Sequence, residues 1–541
     1  MTRPGRPAAL VLALALGGCA GLFGAFDVAP SGLRTSDDRL RRMLASGGAA
    51  AALEKVAAEG DADPGDELLR LLYEGLVAHY AREYAASNAA FERAVELAED
   101  RYTKSVSRSA ASLLTSDRIL PFEPSPAERL MIPYYAALNY LSLEDVDGAA
   151  VEARRLSALL ERYRDDERAD PRLHGLLRAF AGAVFEAAGD YNDADVAYRN
   201  ARALGVDSLL LRTTRAWDGA PDSLGDVVVL IEQGFVAHRV EQSVQVLLLP
   251  EEIEFFDDGD AGERAALAAS IAARVVAHAA ESVSYTGRRP DALFVTPPQG
   301  YTPPRPRKRQ AECPEPADTT RKTQASETRL PVAGPASDSG AARGAAPVER
   351  AEKRGASAPP ERGAARDCKE RRRTEPYLLR IAWPVYRRPI PAVMPLAVAL
   401  PDGRTEPLRA RADLSDAVIR DFQSERTAIL ARTLARAITK LLVTRKLESE
   451  VREEDETAGR VAGLIANVGS ALLEQADTRS WHLLPGSIAM TRLRVPAGTH
   501  ALSVPGAGPD GGALDIGQVE VRPGRIAFVE ARAFGLERLT H

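Results

Sequence analysis

From residue 50 to 205, small and aromatic residues recur at fixed offsets, the pattern of antiparallel helices that interlock in pairs. Gly75 with Tyr84, Phe91 and Ala94 is one copy, and Gly182 with Tyr191, Ala194, Tyr198 and Ala201 repeats its offsets. Ala137, Tyr140, Val146, Ala149 and Ala153 form a weaker copy between them. Gly75, Ala137 and Gly182 would let the second helix of each pair approach closely, while Tyr84, Phe91, Tyr191 and Tyr198 fill the gap. Turns are predicted at Arg82-Glu83, Glu144-Asp145 and Gly189-Asp190, and an insertion around Ser116–Glu128 holds Pro121, Pro124 and Pro126. The pattern predicts an irregular, tetratricopeptide-like array of about three helical hairpins over 50–215. Such an array either offers a concave surface to a peptide or partner protein, or is a scaffold without a groove.

Beyond Asp226 the period changes. Val227–Glu232 and Val244–Leu249 are β-branched runs that predict strands. Leu267, Ile271, Val275 and Val276 then recur at helical spacing between Gly262 and Glu281, one helix laid on a sheet. Residues 297–376 lose periodicity and fill with Pro, Arg, Glu, Ala and Ser, which predicts a disordered insertion between two parts of one α/β domain, 222–296 and 377–541. Strand sequence resumes at Tyr377–Ile381, and a hairpin is predicted from Leu396–Leu400 and Glu406–Arg411 about Pro401-Asp402-Gly403. A long helix near Asp416–Glu450 buries Ile429, Leu430, Leu434, Ile438, Leu441 and Leu442, and a second, small-faced helix spans Gly459–Glu474. Ser487–Val495, Thr499–Val504, Asp515–Val521 and Ile526–Ala531 predict a small antiparallel β module, with tight hairpin turns at Pro496-Ala497-Gly498 and Arg522-Pro523-Gly524. The fold class is α+β.

The first apolar run, Ala8–Leu16, follows Arg3 and Arg6 and closes on Leu16-Gly17-Gly18-Cys19. It is far shorter than the roughly 20 residues that cross a bilayer, so residues 1–18 read as a signal peptide with small residues at its cleavage point. Cleavage before Cys19 would leave a thiol for a diacylglyceryl group and further acyl chains such as palmitate, with 19–49 as a tether. Two or three chains, at about 0.8 kcal/mol per buried methylene, make an effectively permanent anchor. The other reading is an ordinary secretory signal with an incidental cysteine. Ala20, rather than Asp, after Cys19 points to the outer-membrane class.

At 541 residues the chain should split into at least two domains. Its net charge of −6 conceals 17 Lys/Arg against 11 Asp/Glu in residues 297–376, an acidic body with a basic strap. That distribution argues against nucleic acid as the main partner. The strap could touch anionic head groups or cell-wall polymer, or simply be a solvated tether. Cys313 and Cys368 both lie in it and could pair in an oxidising compartment or stay free.

Catalytic signatures are absent from the sequence: seven scattered histidines, no H-E-x-x-H, no G-x-S-x-G and no phosphate loop. Gly506–Gly511 spells G-x-G-x-x-G but sits between predicted strands, where no helix follows to face a pyrophosphate. No cofactor or metal is expected. Asp477, Arg479 and Trp481 are the densest candidate site, either a charged, stacking face for a partner or a buried plug with Asp477 paired to Arg479. Glu232-Gln233-Gly234-Phe235, near His238 and Glu241, is a weaker candidate whose carboxylates read as a solvated strand end.

Leu16–Cys19, Tyr134–Leu141 with Val151–Arg155, Val228–Phe235, and Asp477–Gly486 with Ile488–Arg492 together resemble a family of uncharacterised Gram-negative bacterial lipoproteins. These join a tetratricopeptide-like amino half to an α/β carboxyl half, and the resemblance brings no assigned reaction or catalytic residue. It implies an outer-membrane, periplasm-facing lipoprotein. The first expectation is a non-enzymatic adaptor whose helical repeats hold an envelope protein in assembly or secretion. The alternative is an envelope-polymer hydrolase or transferase with the carboxyl half catalytic, and a homo-oligomer built through the Gly459–Gly469 helix is a third.

Overall fold

The computed structural model describes residues 38–58, 65–104, 120–211, 223–257, 259–281, 293–295, 377–389, 396–454, 475–508 and 511–534. Cys19 and its signal, Cys313, Cys368, the 297–376 stretch and the Gly459–Glu474 helix lie outside them.

Two short helices, α1 (Asp38–Ala45) and α2 (Ala49–Ala58), precede three hairpins. These are α3 (Glu67–Tyr80) with α4 (Tyr84–Lys104), α5 (Pro126–Ser142) with α6 (Val146–Arg162), and α7 (Pro171–Ala188) with α8 (Tyr191–Ala203). Local chemistry sets the starts. Ser125 and Glu128 form a capping box ahead of Pro126, and Asp170 accepts from the Arg172 and Leu173 amides beside Pro171. Each hairpin turns on a left-handed residue, Arg82 (φ 63°), Glu144 (φ 59°) and Gly189 (φ 84°). The interlock is steric: a Cβ on Gly75 would lie 2.5 Å from the Phe91 ring, and one on Gly182 would lie 2.6 Å from that of Tyr198. Tyr84 and Tyr191, expected to fill the same gaps, instead open α4 and α8 half-buried, because they stand one helical turn or more before the crossing.

Helices α3, α5 and α7 are buried almost all round, whereas α4, α6 and α8 bury one stripe. An all-round apolar helix needs cover on both sides. Here the second cover is the chain's own sheet, β11 (Ile526–Ala533), β1 (Leu224–Gln233), β8 (Ser487–Pro496) and β7 (Ala410–Asp413), in that order. Alternation decides the faces: Val228, Leu230 and Met490 meet the helices, while Val227, Val229, Ile231, Leu493 and Val495 meet a second sheet. That sheet runs β10 (Leu514–Val521), β9 (Gly498–Val504), β5 (Ala397–Ala399), β6 (Thr405–Pro407). The molecule is thus α+β, with helices, central sheet and outer sheet stacked in three layers.

The C-terminal strands form, and β9 and β10 pair antiparallel, but β8 and β11 join β1 in the central sheet, so the four are not a self-contained module. β1 takes β11 as a parallel partner and β8 as an antiparallel one. The turns after β8 and β10 are corners that carry the chain from one sheet to the other rather than hairpins, since both sheets have apolar inner faces to satisfy. The strand expected over Glu406–Arg411 splits for the same reason into β6 and β7, one in each sheet.

A further lobe joins the sequence on either side of the 297–376 stretch. β2 (His238–Leu248) pairs antiparallel with β4 (Tyr377–Arg387) and parallel with β3 (Leu293–Val295). After the short α9 (Pro250–Asp257), α10 (Ala261–Glu281) packs on this sheet, as does α11 (Leu414–Glu454), through Leu267, Ile271, Val275, Leu430, Leu434 and Leu441. Among the described residues no helix is long and apolar enough to cross a membrane.

Candidate functional site

Three places concentrate polar side chains, and they differ in access. The first holds the residues singled out in the sequence. Trp481 is fully buried 5.9 Å from the Phe91 ring, and its backbone N–H donates to Glu128 at 2.8 Å. It plugs the joint between the helices and the sheet rather than the core of the C-terminal strands. Arg479 donates to Asp477, to Asp66 of the loop before α3 and to the Leu120 carbonyl, each at 2.8 Å. Although burial works against ionisation, Arg479 holds the Asp477 carboxyl below its ordinary range. With Arg479 buried and its donors committed to partners within the chain, this cluster offers little face to a partner.

Beside it, Tyr73 bonds His482, whose ring lies 6.1 Å from that of His238. Burial, with the nearby Arg41 charge, pushes both histidines well below their ordinary pKa, so both are neutral. Arg41 of α1 donates to the Val236 and His482 carbonyls, pinning the first described helix into this joint.

The second place is a seam where helices meet the central sheet. At one end Arg492 of β8 joins Glu186 of α7 at 2.8 Å and Asp226 of β1 at 2.6 Å, all buried. At the other end lies Glu232, which is fully buried and not a solvated strand end, because even-numbered positions of β1 face the helices. Tyr135 donates to it at 2.9 Å, and Arg532 stands 3.9 Å away. Glu530 of β11 is 3.0 Å from His79 Nε2, and His79 Nδ1 is 2.7 Å from Asn139 Oδ1. Apolar Val228, Leu230, Met490 and Phe528 separate the two ends.

The third place is open. A cleft of about 1230 Å³ lies between the second half of α4, the start of α5, the second half of α6 and the start of α11. Glu92, Glu96 and Glu99 line it from α4, and Arg155 and Arg162 from α6. Ile132 and Pro133 of α5 belong to its lining, with Phe422 of α11. Pro133 lies inside its helix and has no N–H to return to the Arg129 carbonyl. Arg155 spends its charge on Glu152 at 2.8 Å and reaches Glu92 at 4.0 Å. Glu96, Glu99 and Arg162 have no ion-pair partner among the described residues. Asp421 also borders the cleft; burial raises it to about 6, against the Ala127 amide it accepts from.

Among the described residues, no group of three or more His, Cys, Asp or Glu side chains is placed to hold a metal ion. The glycines of Gly506–Gly511 fall between β9 and β10, with residues 509 and 510 outside the described set. Compared with family models, curated proteins and solved structures, the chain matches none.

Sequence reasoning missed both the cleft and the seam. The cleft depends on how far α4 and α6 splay, which no local pattern encodes. The seam left one trace, the acids Asp226 and Glu232 on the same face of a strand whose intervening residues are apolar.

Proposed function

We propose that this chain is a lipid-anchored lipoprotein of the outer membrane, facing the periplasm, that acts as a non-catalytic adaptor and seats a segment of a partner polypeptide in the α4–α6 cleft. The supporting observation is the cleft itself: walls of opposite charge, Glu96 and Glu99 on one and Arg162 on the other, with no ion-pair partner for these among the described residues. The inner helices, where a concave repeat surface would bind, are covered by the chain's own sheet, which favours the open cleft over that face as the place for a partner. A helix 10–12 Å across fills such a volume with about two to three turns. A partner carrying basic side chains along one edge and acidic ones along the other matches both walls. The anchor rests on Leu16–Cys19, and residues 20–37, at most about 3.6 Å each, would keep the body within roughly 65 Å of the bilayer.

The test uses the full-length protein in intact envelopes with a photocrosslinking residue at Ala158, which is exposed in the cleft, or at Val196, which is exposed on α8. The expected result is one defined adduct from Ala158, lost in Glu96→Lys with Glu99→Lys, and none from Val196. Adducts only within the chain mean that its own segment fills the cleft and overturn the proposal, as does the same adduct from both positions. Cys19→Ser should move the protein from membrane to soluble fraction; a membrane-bound variant removes the anchor.

A further inference from the structure

We propose that the helical layer is held to the central sheet by a proton-operated latch, built from His79, Glu530, Glu232 and Arg532, which tightens on proton uptake and loosens on proton loss. This inference does not depend on the adaptor reading.

Hydrogen-bond geometry fixes the charge of the His79 ring. The Asn139 amide nitrogen donates to Ser87 Oγ and to Asn88 Oδ1, both at 2.8 Å, which orients the amide with its oxygen toward His79. An oxygen therefore faces each ring nitrogen, Asn139 at Nδ1 and the Glu530 carboxylate at Nε2. Against an ionised Glu530, a ring that meets two acceptors must donate twice, and only the imidazolium can. Burial works against that charge, but Glu530, through its charge and its hydrogen bond, and Asn139 hold the His79 pKa up at about 8.

The carboxyl beneath shows the complementary signature. Glu232 Oε2 accepts from Tyr135, while Oε1 has no partner among the described residues. An ionised carboxylate with an unpaired buried oxygen is costly, and a protonated one is much less so. Burial, reinforced by the Glu530 charge, pushes Glu232 up to about 7 against the pull of Arg532, His79 and Tyr135. Every element around the cluster contributes: His79 and Tyr80 from α3, Ser87 and Asn88 from α4, Tyr134, Tyr135 and Asn139 from α5, Glu232 from β1, and Glu530 and Arg532 from β11. Among the described residues of the cluster Arg532 is the permanent cation, sandwiched by Tyr80, Phe235 and Phe534 with centroids 5.4, 5.4 and 4.8 Å away.

With both protons on, His79 and Arg532 face one carboxylate, Glu530. With both released to solvent, two carboxylates face Arg532 alone. Both folded-state pKa values lie above the unfolded ones, 6.5 for His and 4.5 for Glu. The Glu232 contribution is therefore complete below pH 4.5 and lost as pH rises to about 7, and that of His79 is complete below 6.5 and lost by about 8.

Hydrogen exchange of the full chain, corrected for the intrinsic pH dependence of exchange, tests this. Amides of β11 and α3 are expected to lose at least about tenfold protection between pH 5 and 8.5, while those of β10 in the outer sheet keep theirs. Glu232→Gln, which cannot ionise, should lose markedly less. Protection independent of pH, or an equal loss in the variant, overturns the latch. Should the variant fail to fold, the His79 ring of the wild-type chain is followed by NMR: a midpoint near 8 supports the latch, and one at or below the free-imidazole value overturns it.

Discussion

Trp481 shows how one side chain can set a joint. Its indole meets Phe91 of α4, its backbone N–H meets Glu128 of α5, and it follows directly on the Arg479 cluster. Three elements distant in sequence are thereby tied to one loop. Trp481→Ala should lower stability by about 3–5 kcal/mol, the range for large buried aromatics, measurable by denaturant melting. Trp481→Phe should cost far less, because the indole N–H has no partner among the described residues to lose. A melt unchanged in Trp481→Ala would mean that the joint is carried elsewhere. The turn residues make a different point: Arg82 and Glu144 occupy the left-handed conformation that Gly189 takes at the matching position, so geometry is kept where residue type is not. The sequence marked all three turns by spacing, yet Glu144 alone would not have revealed its φ.

At the scale of elements, volume is exchanged across each hairpin. Gly75 faces Phe91 and Gly182 faces Tyr198, while in the middle hairpin the corresponding pair is Ala137 and Ala153, both fully buried. Two alanines fill far less space than a glycine and a ring; the close approach in the middle hairpin is instead Gly148 of α6 against Tyr140 of α5, where a Cβ would lie 2.6 Å from the ring, which is why that copy looked weak in sequence. The central sheet makes its own selection. β1 alternates between two apolar neighbours and puts an acid at each end of its helix-facing row, Asp226 and Glu232. Arg492 answers the first. Arg492→Met should destabilise by about 3–5 kcal/mol, since Glu186 and Asp226 would stay buried without their cation. Adding Glu186→Gln and Asp226→Asn should recover part of that loss in the same melting experiment. If the single variant melts like wild type, the cluster does not position the layers.

The whole molecule gathers its ionisable groups into two opposing sets. His174, lowered to about 4 by burial and the Arg178 charge, stays neutral when folded, as do His238 and His482. Their contribution is present above the unfolded value of 6.5 and is lost as pH falls below it. His79 and Glu232 act in the opposite sense on the alkaline side. Thermal stability should therefore peak between about pH 6 and 7 and decline toward both 4 and 8.5. A melting temperature that climbs steadily from pH 6 to 8.5 would contradict the assignment of the seam.

By itself the sequence determined the hairpin helices, their three turns, most strands and the long helix. These follow from periodicity, breakers and capping residues, which act within a few positions of the chain. Only the tertiary structure decided which strands pair, that β1 joins the last strand of the chain, and that the inner helices are already covered. It also decided that Arg479 and Glu232 are interior groups, with Asp477 half-buried against Arg479, while the α4–α6 cleft is open. Burial is a property of the layer that lands on a residue, and a strand-end glutamate has the same local sequence whether water or a helix lies above it.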